Sequence, residues 1–278
     1  MVDGRATIGI QNWPASDRDW TVIVPFHNEA ECLPATIRSL AGQTEKPVML
    51  VLVDNGSTDG SAEIARRAAE HFGVAARHVG EGRPGKVAAL QAGLAQVDSR
   101  FVATCDADTI YPADYLAVAT RLLDRDGTVA AVAATCPAHA SALSARLAGW
   151  RMEVTSALLW QQCLNGGAGQ VFRTSALRAC GGFDPDIWNW VLEDHEIMAR
   201  IEQHGQIAYA RDFICHPEDR PRAINTSGWR FGEQLLYHAT HSGERVDFFH
   251  GYLAPRLRQR ALESAKLRRS QPGVALNA

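Results

Sequence analysis

Asp106 and Asp108 stand one alanine apart, just past the apolar run Phe101-Val-Ala-Thr-Cys105. That run reads as a buried strand, and strand ends in open α/β sheets face the crevice where ligands bind. Two carboxylates this close repel each other unless a cation or hydrogen-bond donors offset the charge. Hard oxygen ligands suit Mg2+ or Mn2+, and such sites often share the metal with substrate phosphates. The chemistry suggested is that of a phosphate-bearing compound. The same spacing also occurs in exposed turns, so the pair needs support from elsewhere in the chain.

The elements around the pair provide it. Thr21–Pro25 is an apolar, β-branched run and reads as a first strand, followed by a helix over Glu29–Leu40 with Ala30, Leu33, Ile37 and Leu40 on one side. Pro47–Val53 reads as a second strand and stops at Asp54-Asn-Gly-Ser-Thr-Asp59, where Gly56 permits the turn and a hydroxyl or carboxylate can cap the next helix. A short strand over Val74–Val79 and a helix over Lys86–Val97 precede the strand that ends in the carboxylates. This alternation predicts an α/β fold with a mostly parallel sheet and helices on both faces. Right-handed crossovers then gather the loops after the strands on one edge. Pro25-Phe-His-Asn-Glu29, Asp54–Asp59 and Asp106-Ala107-Asp108 would meet there.

Beyond Asp108 the spacing predicts helices over Pro112–Leu123, Ser141–Cys163 and Leu192–His204, and strands over Thr128–Ala134 and Gln206–Ala210. Two further helices are expected near Trp229–His241 and Ala254–Arg268. The 278 residues suit one large α/β domain with excursions or two small ones. A formal net charge of -3 gives no nucleic-acid footprint. No apolar stretch reaches the ~18 residues of a membrane span, and the N-terminus lacks an apolar signal core, so a soluble cytoplasmic protein is expected. The six cysteines, at 32, 105, 136, 163, 180 and 215, form no Cys-x-x-Cys pair and read as reduced, packed thiols.

Taken in order, Val24-Pro-Phe-His-Asn-Glu29, Val53-Asp-Asn-Gly-Ser-Thr-Asp59, Gly85-Lys-Val-Ala-Ala-Leu90, Asp106-Ala-Asp108, Gly166-Gly-Ala-Gly-Gln-Val-Phe-Arg173, Gly181-Gly-Phe-Asp184 and Glu193-Asp194 resemble glycosyltransferase family 2, whose fold is the GT-A, Rossmann-like sheet. The resemblance covers about Thr21 to Ile214. It implies a nucleotide-sugar-binding and catalytic domain over 1–224 and a small C-terminal helical extension over 225–278. It also implies residue roles. Pro25, Phe26, Asn28 and Glu29 would line the base and ribose pocket, and Asp54 would hydrogen-bond the base. Gly56, Lys86, Ala107 and Gly167 would contribute to the donor site. Asp106 would face ribose or metal, Asp108 would ligate the metal, and His216 is a further candidate ligand. Asp194 would be the catalytic base, with Glu193 positioning it or the acceptor.

The expected activity is a metal-dependent inverting transfer of one sugar from a nucleotide-sugar, with a UDP-sugar as the expected donor, to a hydroxyl on a glycan, glycolipid or small molecule. Such a donor leaves poorly until its diphosphate charge is neutralised, which Mn2+ or Mg2+ can do. The attacking hydroxyl must also lose its proton, which a carboxylate can accept. Two other readings share the fold, a non-catalytic nucleotide-sugar-binding protein and a sugar nucleotidylyltransferase. The latter would want a glycine-rich loop with Arg and Lys after the first strand, where this chain has Phe26-His-Asn-Glu29. There is no Gln-x-x-Arg-Trp segment of the processive synthases, and Leu90-Gln91 stands where many members have Arg-Asn. Arg83, near Lys86, is a weaker candidate for a donor contact. Trp188 and Trp190 suit either stacking on a sugar or core packing. His195 is expected to turn away from Asp194, as adjacent helical side chains do. The basic tail from Arg256 to Arg269 suits a helix lying on an anionic membrane surface, or a solvated helix packed on the domain.

Overall fold

Alternating side chains of β1 (Trp20–Phe26) show why the central sheet needs cover on both faces. All seven residues of this strand are buried. Val22 and Val24 pack on one side with Leu33, Ile37 and Leu40, while Ile23 packs on the other with Val87 and Leu90. A strand buried on both faces belongs inside a parallel sheet with helices above and below. Each fully buried aliphatic side chain contributes about 1.5–3 kcal/mol. The computed structural model describes residues 19–134 apart from 47, 126 and 128, then 169–218 and 228–269.

The other strands of this sheet are β2 (Val48–Asp54), β3 (Ala75–Gly80), β4 (Phe101–Thr104), β6 (Val129–Ala133), β7 (Gln170–Arg173) and β8 (Gln206–Ala208), and the order is β3-β2-β1-β4-β7-β6-β8. Only β7 runs against its neighbours. Helices α1 (Leu33–Ala41) and α4 (Tyr115–Arg125) cover one face. Helices α3 (Lys86–Leu94), α5 (Thr174–Ala179) and α6 (Glu193–Ile201) cover the other. Helix α2 (Ser61–His71) packs beside α1. The strand order reverses between β1 and β4, and that switch point opens the crevice outside their carboxyl ends. A small second sheet pairs β5 (Thr109–Ile110) with β9 (His216–Pro217). Two-residue strands are too short to announce themselves by periodicity.

Several boundaries differ from expectation for local reasons. The helix expected from Glu29 begins at Leu33, because Asn28 takes a left-handed φ of 55° and the Glu29 carbonyl accepts from both Cys32 and Leu33. The helix expected from Leu192 begins at Glu193, because Leu192 itself is left-handed with φ 65°. The helix expected over Ser141–Cys163, and Gly166, Gly167 and Ala168, lie outside the described residues.

Helix α3 is apolar all round because it is enclosed. A Cβ on Gly93 would come within 2.4 Å of Ile23 Cγ2 and 3.2 Å of Val53 Cγ2. Gly93→Ala gains helix propensity of about 1 kcal/mol, yet the crowding should cost about 1–3 kcal/mol. We expect a net fall in unfolding temperature of about 2–4 °C. An unchanged or raised temperature in a thermal melt would show that Ile23 yields.

The C-terminal extension comprises α7 (Phe231–Ala239), α8 (Arg245–Asp247), a π-helical stretch (Phe248–Leu253), α9 (Ala254–Gln259) and α10 (Ser264–Arg269). Its Tyr237, Phe249, Leu253 and Leu257 form a third core with Trp188 and Leu192. The single helix expected over Ala254–Arg268 is broken. Ala261 turns left-handed with φ 55°, and Val191 N donates to Leu262 O at 3.1 Å across the break. Arg260 is tied to Glu233 at 2.9 Å, and Arg256 lies 3.5 Å over the Tyr252 ring.

Candidate active site

The loops after β1 and β2 hold each other by hydrogen bonds. Asn28 N donates to Ser57 Oγ at 3.1 Å, and Thr58 N donates back to Asn28 Oδ1 at 2.8 Å. Glu29 N donates to Ser61 Oγ at 2.8 Å. Gly56 takes φ 74°, the left-handed geometry this turn needs. Asp54 Oδ1 accepts from Ser57 N at 2.8 Å, and no described residue bonds its Oδ2. Phe26 is buried, so it shapes the loop from below, whereas Pro25 lines the crevice. His27 Nδ1 is buried and lacks a hydrogen-bond partner among the described residues. Buried polar atoms without partners are rare, and one on a crevice loop fits a ligand's hydrogen-bonding group.

Asn55 is a residue that pattern reading passed over. It is buried, and its Nδ2 donates to Glu81 O at 3.1 Å and to Arg83 O at 2.8 Å. Its Oδ1 accepts from Gly85 N at 2.8 Å. These bonds fasten the loop before α3 to the end of β2. Gly85, at φ 119°, starts α3 and leaves no room for a Cβ against Ser264 of α10, whose Oγ would lie 2.9 Å away.

Helix α3 therefore begins with Lys86 pointed into the crevice. Lys86 Nζ lies 2.8 Å from Asp106 Oδ1 and 3.3 Å from Glu193 Oε1. Burial works against its charge, but Asp106 and Glu193 outweigh this and hold the ammonium well above its ordinary range. Burial lifts the Glu193 carboxyl; Lys86 pulls it back, Asp194 adds to the lift, and the net shift is upward. Asp106 N donates to Tyr111 Oη at 2.8 Å, and Ala107 O accepts from Thr36 Oγ1 at 2.8 Å. The Asp-x-Asp backbone is thus pinned from two elements. Glu218 N donates to Asp108 O at 2.8 Å, which draws β9 and His216 alongside the same turn. Among the described residues, no three His, Cys, Asp or Glu side chains stand close enough to hold a metal by themselves.

Asp194 closes the far side of the crevice. Gln170 Nε2 donates to its carbonyl at 3.1 Å. Its Oδ1 accepts from His195 N at 2.8 Å and lies 3.0 Å from His195 Nδ1. Burial raises this carboxyl, but the His195 ring and its hydrogen bonds outweigh burial and hold it at about 2. The expectation that His195 turns away is therefore overturned. At the first turn of α6 the Asp194 side chain folds back over the following amide, and the imidazole meets it there. A pocket joins the two ends, walled by Pro25, Lys86, Leu90, Asp106, Gln170 and Asp194.

Three candidates, two aromatic and one cationic, resolve differently from the rest. Trp188 is buried, donates Nε1–H to Val191 O at 3.1 Å and meets Phe249 edge-on, so it is core. Trp190 is partly buried, bridges to Glu263 and faces Arg258. Arg83 is held by Glu81 at 2.9 Å and by Gln91 at 3.0 Å, outside the pocket wall.

The mostly parallel sheet flanked by helices matches the GT-A fold of solved glycosyltransferases. Residues 21–178, more than half of the chain, match glycosyl transferase family 2, and the chain belongs to that family. An undecaprenyl-phosphate 4-deoxy-4-formamido-L-arabinose transferase from Serratia proteamaculans is 40% identical over 96 residues, 33% of this chain and 29% of that relative. A dodecaprenyl-phosphate galacturonate synthase from Rhizobium johnstonii is 36% identical over 101 residues, 35% of this chain and 30% of the relative. The chain thus spans less than a third of the length of these curated relatives. Among solved structures, a mannosyltransferase from Pyrobaculum calidifontis in complex with GDP-Man and Mn2+ is 25% identical, with a TM-score of 0.68 over 95% of this chain and 78% of that one. No helix among the described residues is long and apolar enough to cross a membrane.

Proposed function

We propose that the protein is a metal-dependent inverting glycosyltransferase that moves one sugar from a nucleotide-sugar, a UDP-sugar by preference, to a hydroxyl acceptor. The observation that carries this reading is one pocket lined by Lys86, Asp106, Glu193 and Asp194, in which Lys86 Nζ lies 2.8 Å from Asp106 and 3.3 Å from Glu193. Asp106, Lys86 and the neighbouring Asp108 would serve the leaving group, and an ionised Asp194 the acceptor. Pro25, Phe26, His27, Asn28, Glu29 and Asp54 form the nucleotide end, with Asp54 Oδ2 and His27 Nδ1 left for the base and ribose.

Asp108, with Asp106 or with His216, would supply protein ligands to the divalent cation, since no three such side chains among the described residues converge by themselves. A hard carboxylate set with an imidazole fits Mn2+ or Mg2+, and substrate phosphates ordinarily complete such a shell. When bound, the cation neutralises charge on the diphosphate leaving group. The protein's own residues do the rest. Lys86 balances Asp106 and Glu193, and Asp194 accepts the proton of the attacking hydroxyl as its oxygen bonds to the anomeric carbon.

The two curated relatives described above are named for polyprenyl phosphates. A phosphate nucleophile arrives ionised, needs no base, and would meet Glu193 and Asp194 as like charges. This supports a hydroxyl on a glycan, glycolipid or small molecule. Peripheral contact with a membrane at the cytoplasmic face would draw on Arg256 and Arg258, which are exposed, since Arg260 is committed to Glu233.

The test is hydrolysis or transfer across a panel of UDP- and GDP-sugars. Chelation with EDTA is expected to abolish turnover and excess Mn2+ to restore it. Asp108→Asn should raise the Mn2+ concentration needed for half-maximal rate. Full turnover in EDTA would sink the metal-dependent reading.

A further inference from the structure

We infer that His195 is a positioning residue for the Asp194 base, and that through it the C-terminal extension sets which carboxylate oxygen is free to take the proton. This rests on the proposed role of Asp194. His195 supplies two contacts to one oxygen, its backbone N–H at 2.8 Å and its ring Nδ1 at 3.0 Å, both to Asp194 Oδ1. Among the described residues no donor bonds Oδ2. One lone-pair face is thus occupied and the other is left for an acceptor hydroxyl. A carboxylate pinned at one oxygen and open at the other is oriented before substrate arrives, which avoids reorganisation during the reaction.

The ring itself cannot swing freely. Trp229 meets it edge-on, with ring centroids 5.5 Å apart and planes at 80°. Tyr237 meets it at 5.9 Å and 76°. Trp229 and Tyr237 pack on each other at 5.3 Å and on Phe248 and Phe249 of the third core. The imidazole is therefore clamped by side chains from beyond residue 228, while its Nδ1 faces the base. Nδ1 carries the proton in this arrangement, since Oδ1 is an acceptor only. His195 does not itself contact the reacting atoms.

The step served is balanced without a further reagent. The acceptor oxygen bonds to the anomeric carbon, the bond from that carbon to the diphosphate oxygen breaks, and the acceptor proton passes to Asp194 Oδ2.

The test uses Mn2+ and whichever UDP- or GDP-sugar the wild-type protein hydrolyses, with water as acceptor. His195→Ala and His195→Phe are expected to lower kcat about tenfold or more, as loss of an orienting partner does elsewhere, with KM for the donor little changed. His195→Asn places an N–H donor where Nδ1 stands, and should recover most of the rate. His195→Gln carries its donor one atom further and should not. The Phe variant keeps a ring against Trp229 and Tyr237, so full activity in it would reduce His195 to packing and overturn the inference. Unchanged kcat in the Ala variant, or an Asn variant no better than Ala, would also overturn it. Asp194→Asn in the same assay separates the two readings. Its normal turnover removes the base assignment, whereas its loss beside a fully active His195→Ala removes the positioning role alone.

Discussion

Asp194→Asn is expected to lower transfer by about 10²–10⁴-fold, the usual span for loss of a general base. The substitution preserves shape. The amide oxygen can still accept from His195 at the Oδ1 position, but the NH2 then stands where a proton must be received. Nucleotide binding should survive, because neither Asp54 nor His27 lines the pocket that Asp194 lines. Thermal shift with UDP or GDP and Mn2+ measures this, since a ligand that binds the native state raises apparent stability. The Asp194 carboxyl is held at about 2 against an ordinary 3.8. A depressed folded-state value means that its stabilising contribution is present above 3.8 and is lost as pH falls through about 2. The base is thus fully ionised across the neutral range. The Asn defect should be equally large throughout that range, and a defect that vanished at one end of it would point to a different base.

Asn55→Asp should have the largest effect on stability. The carboxylate keeps the acceptor for Gly85 N but turns the two-donor NH2 into an oxygen facing Glu81 O and Arg83 O. Two carbonyls in part-buried bonds lose their donor, at up to about 1–3 kcal/mol for each unsatisfied group. We expect a total loss of about 3 kcal/mol, read as a lower urea midpoint with unchanged slope. Nucleotide affinity should fall with it, because the loop released at Glu81 and Arg83 leads into α3 and so bears on where Lys86 points. A loss below about 1 kcal/mol would mean that the loop before α3 finds other partners.

Local chemistry announced three of the candidate carboxylates. Asp54, Asp106 and Asp108 follow apolar runs whose period and length are those of strands, so sheet topology alone brings them to one edge. The partners that aim them were not readable. Asn55, Tyr111, Thr36 and Gln170 act through hydrogen bonds that reach across as many as 30, 5, 71 and 24 residues of sequence. No periodicity encodes such pairs. Helix starts slipped where Asn28 and Leu192 adopt left-handed backbone, a conformation that residues other than glycine rarely take. His195 was misread for a related reason. Neighbours on a helix diverge in its body, but in the first turn free amides invite a side chain to fold back. The tail was read as one helix because its composition is uniform; Ala261 breaks it where Leu262 instead receives the Val191 amide.

The reversed strand β7 pairs Gln170 with Thr104, and Gln170 in turn holds the Asp194 carbonyl. On the proposed assignment of Asp106 and Asp194, the span from the donor's leaving group to the proton acceptor is gauged by this backbone register. A slip of one residue would turn Gln170 to the opposite face and lose the calibration altogether. Loops bordering the pocket can lengthen, shorten or change composition without altering that span. Acceptor preference is thus free to diverge in the loops while the reach of the reaction stays constant.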